Sequence, residues 1–395
     1  MSRWKYVGFV LIVVGSLSEY TVFFRGTIFP MVFFLSSCGL VVVSYLLTDD
    51  DSVVHIPRYL FGPLMMLFGV YALTIPFQPT VFYRRVIDII VITISILLIP
   101  QIIDRSIFFV TVRNMSVMLV LIGLPAVFIG PYSLFGVTFG YPWQGELPVL
   151  PSQLYALQSV YTNPNFLSVF LLGGLLVSLY LYDIDRGNYS LFALLINGVG
   201  LLLTQSRSAI VVGLFAVLGY LLYKIWGASL FRLAVLGTVF LGVEGLIFLV
   251  TGVGPLGQFS LSGRREIWQA GIQVLLESPL IGYGPVLLGP IIEAELGRSV
   301  SPHNSYLRVA LETGIIGGIA YFWLVSSILF HHVRVSLDQE RTISFLLALS
   351  VATVMIFETF VIGGIGSSSI LASISLGYLI KDSSDHNIVN NEGSN

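Results

Sequence analysis

Apolar runs long enough to cross a lipid bilayer fill this chain, and they constrain its fold more than any motif does. A spanning helix needs about 20 mostly apolar residues, because inside a bilayer every backbone N–H and C=O must be bonded internally. Such runs are read at 6–23, 28–47, 59–76, 85–100, 115–132, 165–182, 189–203, 209–223, 231–250, 305–330, 343–362 and 367–380. Composition agrees. Of 395 residues 56% are hydrophobic and 10% charged, against about 25% charged in a globular domain. The mean hydropathy is +0.91. Cys38 is the only cysteine and the five histidines are scattered, so neither a disulfide framework nor a Cys- or His-rich metal site is expected. No basic tract points to nucleic acid. Arg3 and Lys5 precede the first apolar run and no small-residue cleavage site follows, so that run reads as a retained signal anchor.

The expected fold is therefore an all-α polytopic membrane protein. It has about twelve transmembrane helices and a large extracytoplasmic loop between the ninth and tenth. Residues 1–380 form a single transmembrane domain, with 251–304 as the loop and 381–395 as a disordered cytoplasmic tail. Residues 101–114, with Asp104, Arg105 and Arg113, read as interfacial. The Gly-, Pro- and Trp-rich stretch 136–164 reads as a loop that dips back into the membrane.

Topology follows from loop charge, because Lys and Arg favour the cytoplasmic side. With both termini cytoplasmic, eleven of the nineteen basic residues fall inside. The other eight are Arg25, Arg84, Arg85, Arg207, Arg264, Arg265, Arg298 and Arg308. All eight are arginine, and five lie in or beside TQSRS and the long loop. Positive charge on the disfavoured side asks for an anionic ligand, and the planar guanidinium fork suits phosphate.

Each candidate has a plain reading beside a chemical one. Arg207, at the start of a helix in TQSRSAIVV, is either a turn residue reaching the interface or a phosphate clamp. In the second reading Ser206, Ser208 and the helix N-terminus assist it. Arg264 and Arg265 open RREIWQAGIQVLLE, which places Ile267, Trp268, Gly271, Ile272, Leu275 and Leu276 at helical spacing. That is an amphipathic helix on the bilayer whose arginines meet lipid headgroups or a pyrophosphate. His303, in SPHNSYLRVALETG, either caps a helix with Asn304 and Ser305 or acts as a general base. Glu293 and Glu295 read as solvated charge, Arg308–Glu312 as an intrahelical pair, and Asp88 as the partner of Arg84. Glu244 and Glu358 lie inside expected spans and mark either function or a buried hydrogen bond. The GYG at Gly282–Gly284 is a turn and no phosphate-binding loop.

Four stretches together carry a resemblance: NPNFLSVFLL, LLLTQSRSAIVV, SGRREIW with SPLIGYGP, and HNSYLRVALETGIIG. Over 163–318 the sequence resembles the O-antigen ligase and polymerase superfamily of membrane glycosyltransferases. The resemblance implies transfer of a glycan from an isoprenyl-pyrophosphate carrier to an acceptor hydroxyl on the outer face of the membrane. It matches the family's catalytic Arg, Arg and His to Arg207, Arg264 and His303. The arginines would hold the pyrophosphate and His303 would take the acceptor proton. Arg265, Ser206, Asn304, Trp268 and Arg308 are the neighbouring residues expected to contact substrate.

Such a reaction implies no cofactor and no metal; Asp183 and Asp185 fall on the cytoplasmic side. The implied partners are the lipid-linked donor, a glycan, lipid or protein acceptor, and membrane lipids. The second Arg at 265 and a short outer loop depart from the ligase pattern and leave the acceptor open. A polymerase extending the lipid-linked glycan fits the same residues. A polysaccharide or lipid transporter would instead line a midplane path with charge in repeated halves, and no such repeat is found.

Overall fold

The computed structural model describes residues 3–18, 28–46, 56–75, 82–134, 137–140, 154–251, 263–335 and 337–392. The chain begins with α1 (Arg3–Ser18), α2 (Phe29–Leu46), a 3-10 turn (Arg58–Leu60) and α3 (Phe61–Thr74). Next, α4 (Phe82–Ile92) runs through a π-helical stretch (Thr93–Leu98) into α5 (Ile99–Ile102), and α6 (Arg105–Ile129) follows. A small antiparallel hairpin, β1 (Tyr132–Leu134) and β2 (Val137–Phe139), sets Ser133 opposite Thr138. The second half holds α7 (Pro164–Asp185), α8 (Asn188–Leu203), α9 (Arg207–Thr251), α10 (Arg264–Glu277) and α11 (Leu288–Leu296). It closes with α12 (Ser305–Val333), α13 (Gln339–Val354) and α14 (Ser367–Glu392).

This is an all-α membrane protein. Among the described residues six helices are long and apolar enough to cross a bilayer, and three shorter apolar helices accompany them. The expected spans 209–223 and 231–250 are the two halves of α9, which breaks at Gly227 (φ 79°). The expected span 343–362 ends as helix at Val354, and the chain then turns back through 355–366 before α14.

Residues 105–114 form the first turns of α6, the end of a spanning helix. Arg105 is held by Asp382 and Ser344, and Arg113 by Ser190. At the start of the tail expected to be disordered from Lys381, Asp382 and Ser383 are buried, and Asp382 pairs with Arg105. Of the stretch 136–164, residues 141–153 lie outside the described residues. Its far end does pack inward: Leu157 and Tyr161 are fully buried, and Leu157 N–H donates to Leu203 O at 2.8 Å.

Helix α7 is the hub of the bundle, packed against α6, α8, α9, α13 and α14. Small residues make this possible. A side chain at Gly174 would collide with Ser116 and Asn197, and small residues are what let helix backbones approach closely in lipid. Pro164 starts the helix after the Asn163 cap, whose side chain accepts from Asn165 N–H at 2.9 Å.

Helix α7 also identifies the two ends of the bundle. Asn165 at its start meets Glu358, whereas Asp183 at its finish meets Lys224 at 2.7 Å. The starts of α10 and α12 lie at the Glu358 end. The starts of α6 and α13 and the far part of α14 share the opposite end, through Arg105, Glu340 and Asp382.

Helix α12 is broken at Gly314 (φ 76°, ψ 177°). The loop 278–286 fills the break. Tyr283 N–H donates to Leu311 O at 2.8 Å, Gly284 N–H to Glu312 O at 3.0 Å, and Ile315 N–H to Pro279 O at 2.7 Å. Gly282 (φ 69°) and Gly314 abut so closely that a Cβ on Gly282 would lie 2.6 Å from Gly314 N. Only glycine meets both the space and the left-handed backbone. The GYG turn is thus the plug of a broken helix.

Candidate active site

Four segments converge at one end of the bundle: the starts of α7, α10 and α12, and the α13–α14 connection. Their meeting point is Glu358, which is 2% exposed. A buried carboxylate must be paired and hydrogen-bonded to stay charged. Its Oε1 accepts from Asn165 Nδ2 at 2.7 Å and from Arg264 NH2 at 2.8 Å. Arg264 Nε also donates to Phe357 O at 3.2 Å. Glu358 Oε2 lies 3.7 Å from His303 Nδ1.

The backbone explains why these groups meet. Asn304 is the N-cap of α12, its side chain accepting from Leu307 N–H at 2.9 Å. His303 precedes the cap in a left-handed turn (φ 46°) that a non-glycine residue adopts only when its surroundings hold it there. Ser305 fastens that turn to the α13–α14 connection. Its N–H donates to Met355 O at 2.7 Å, and its Oγ lies 2.7 Å from Glu358 O and accepts from Phe360 N–H at 3.1 Å. From below, Trp268 Nε1 donates to Pro302 O at 3.1 Å, and its ring packs on Phe357. The outcome is a histidine with Nδ1 beside a carboxylate and a side chain 33% exposed. Its Nε2 is the ring nitrogen not turned to Glu358. That arrangement leaves one ring nitrogen for proton transfer, as a general base requires.

Arg207 opens α9 and is exposed. Before it, Gln205 is left-handed (φ 59°), and Ser206 is buried with its Oγ lacking a hydrogen-bond partner among the described residues. The turn is anchored by Gln205 Nε2 to Leu154 O at 3.4 Å. The described non-glycine residues with positive φ are Ser159, Arg186, Gln205 and His303. Three of the four lie at this end of the bundle, and such strain clusters where a site requires it.

Behind the site lies a second charged layer. Arg85, fully buried, donates to Glu312 O at 2.8 Å and lies 3.5 Å from both Glu312 Oε2 and Asp88 Oδ2. It caps the carbonyl end of the first half of α12, where a cation is favoured. Asp88 therefore pairs with Arg85, not with Arg84 as spacing alone suggested. Arg84 turns to Pro285 O at 2.8 Å. The expected Arg308–Glu312 pair forms at 2.8 Å. Tyr283, whose O–H lies 2.9 Å from Glu277 Oε2, has its pKa raised by burial and then by that carboxylate.

Several expected contacts change character. Trp268 is buried and its one polar atom is spent on Pro302, so it holds the His303 turn. Asn304 spends its oxygen on capping. Arg308 is tied to Glu312, although a quarter of its side chain stays open. Arg265 is half-buried at the first turn of α10, beside Arg264. Glu293 and Glu295 are exposed on α11, as solvated charge should be. The residues missed from the sequence are Glu358, flagged as an acid in an apolar run but given no partner, and Asn165.

Fold and site together define a class: an all-helical membrane protein with a polar, partly open Arg–Glu–His cluster at one end of its bundle. Residues 192–322 match the model of the O-antigen ligase family. Over a 192-residue alignment the chain is 27% identical to the exopolysaccharide production protein ExoQ of Rhizobium meliloti (strain 1021). That alignment covers 42% of this chain and 44% of the relative, less than half of each. Over the parts they cover, the two similarities point to the O-antigen ligase/polymerase superfamily.

Proposed function

We propose that this protein is an O-antigen ligase-like glycosyltransferase. It moves a glycan from an isoprenyl-pyrophosphate carrier to an acceptor hydroxyl. One observation carries the reading: Arg264, Asn165 and His303, from three stretches distant in sequence, meet on the buried carboxylate of Glu358. The sequence topology completes it, with twelve spans, both termini cytoplasmic, and loop 251–304 and the site on the extracytoplasmic face.

In this reading the acceptor oxygen attacks the anomeric carbon of the donor sugar. The bond from that carbon to the phosphate oxygen breaks, and the leaving isoprenyl pyrophosphate takes the electron pair. His303 Nε2 accepts the proton of the acceptor hydroxyl. Glu358, beside Nδ1, stabilises the imidazolium and holds Arg264 in place. Arg264 and Arg207 meet the charge growing on the leaving group, where preorganised donors have their largest effect. Arg264 has an NH1 group beyond its bonds to Glu358 and Phe357, and Arg207 is exposed at a helix N-terminus. Ser206, Arg265, Asn304 and Arg308 flank the donor and acceptor. The neutralising charge comes from arginine, so the reaction runs without a metal ion.

A polymerase differs only in its acceptor, which is then a second lipid-linked glycan. The test is a transfer assay with the full chain in lipid nanodiscs, a synthetic isoprenyl-pyrophosphate glycan, and candidate acceptors, with and without chelator. Release of isoprenyl pyrophosphate by wild type and its loss in His303→Ala, Arg207→Ala and Arg264→Ala is expected, chelator or not. The size of the product separates ligase from polymerase. Full activity of the three variants overturns the site. Movement of labelled lipid or sugar across the bilayer without donor consumption makes the protein a transporter.

A further inference from the structure

The end of the bundle opposite the candidate site holds a cavity of about 340 Å³ lined by Asp104, Arg105, Glu340, Tyr378, Lys381 and Asp382. We propose that it binds a phosphoethanolamine-type group, a primary ammonium joined to a phosphate, as carried by a zwitterionic membrane lipid.

Size and position come first. A pocket of roughly 300–1,000 Å³ is the range that takes small ligands, and a lipid headgroup is at the lower end. The lining residues sit where apolar helices finish. Asp104 and Arg105 open α6, Glu340 lies in the first turn of α13, and Lys381 and Asp382 follow the apolar run of α14. Charges at the ends of apolar helices lie at the level of lipid headgroups.

Charge decides the ligand class. Three carboxylates and two cations face the cavity, so a purely anionic ligand is disfavoured and an ammonium is welcome. Part of this charge is left open by the fold. Asp104 is the N-cap of α6, yet its side chain makes no capping bond. Asp382 is buried. Its Oδ1 holds Arg105 at 2.5 Å with Arg341 Nε 3.7 Å away, and its Oδ2, 3.8 Å from His332 Nδ1, makes no hydrogen bond among the described residues. Arg105 Nε is buried without one too, with Glu340 Oε1 at 3.5 Å. Buried polar atoms left unpaired are costly, and a ligand or water is the usual remedy. Lys381 Nζ gives one hydrogen bond, to Pro100 O at 3.2 Å, and has two more N–H groups to offer. The ammonium is thus placed against Asp104, Glu340 and Asp382, and the phosphate against Lys381.

The test is native mass spectrometry of the full chain released from nanodiscs that hold equal amounts of phosphatidylethanolamine, phosphatidylcholine and phosphatidylglycerol. Retention of phosphatidylethanolamine at least about fivefold over the other two is expected. Asp104→Asn and Glu340→Gln, both at exposed positions, should equalise the lipids, and Lys381→Gln should weaken all retention. Soluble glycerophosphoethanolamine distinguishes the sources: displacement at millimolar concentration marks a headgroup site open to solutes, and resistance marks a lipid site. Equal retention of all three lipids by wild type, or a preference for phosphatidylglycerol, overturns the proposal. So does an unchanged preference in the Asp104→Asn/Glu340→Gln double variant.

Discussion

At each end of the bundle a buried carboxylate gathers arginine and histidine. Glu358 lies 2.8 Å from Arg264 and 3.7 Å from His303 Nδ1. Asp382 lies 2.5 Å from Arg105, 3.7 Å from Arg341 Nε and 3.8 Å from His332 Nδ1. The constellations are similar, but their surroundings differ. The His303 and Arg264 side chains are 33% and 20% exposed, and those of His332 and Arg105 are 0% and 9% exposed. His303 sits in a strained turn before a cap, whereas His332 is in the last turn of α12, stacked on Phe345. An Arg–carboxylate–His set is therefore not a site in itself. Access of the histidine to a reacting group separates a candidate base from a packed core residue.

The sharpest way to break this comparison is to remove each histidine. His303→Ala should lower transfer by about 100- to 10,000-fold, the range for losing a general base, and barely move the thermal unfolding midpoint. His332→Ala should do the reverse, lowering the midpoint and sparing the transfer rate of the folded fraction. Comparable losses of activity in both would dissolve the distinction.

The carboxylates come next. Asp382→Ala leaves Arg105 buried without its counter-charge and should cost about 3–5 kcal/mol, read as lost folded yield. Glu358→Gln keeps the shape and the bond to Arg264 but removes the charge facing His303. It should cut kcat by about 10- to 100-fold, roughly 1.4–2.7 kcal/mol, with KM little changed. A change in KM alone would make Glu358 a binding residue only.

Smaller effects test the supports. Gly314→Ala forces a side chain into a left-handed backbone against Leu280 and should destabilise by about 1–3 kcal/mol. Trp268→Phe removes the bond to Pro302 and should cost about 1 kcal/mol. It should also lower transfer slightly more than it lowers stability, because the His303 turn loosens. Equal or no effect on both readouts would show that Trp268 merely fills space.

Much of this was legible in one dimension. Hydrophobic run length gave the helical membrane fold, since an unsatisfied backbone cannot persist in lipid. The Arg308–Glu312 pair followed from spacing along a helix, and the break between the halves of α9 from polar residues in an apolar run. Motif order pointed to the superfamily that the two similarities support, and to Arg207, Arg264 and His303 as the residues to test. Spacing failed where partners lie far apart in sequence. Asp88 is equally well placed for Arg84 and Arg85, and only α12, arriving with its free carbonyls and Glu312, turns Arg85 inward to share Asp88. Glu358 read as an isolated acid in an apolar run, because its partners Asn165, Arg264 and His303 lie 193, 94 and 55 residues away. Trp268 looked like a ligand contact until Pro302 took its N–H. Local propensity and hydropathy are properties of neighbours along the chain. Which buried charge meets which is decided by helices packing together, and there the tertiary structure alone chose Glu358 as the centre.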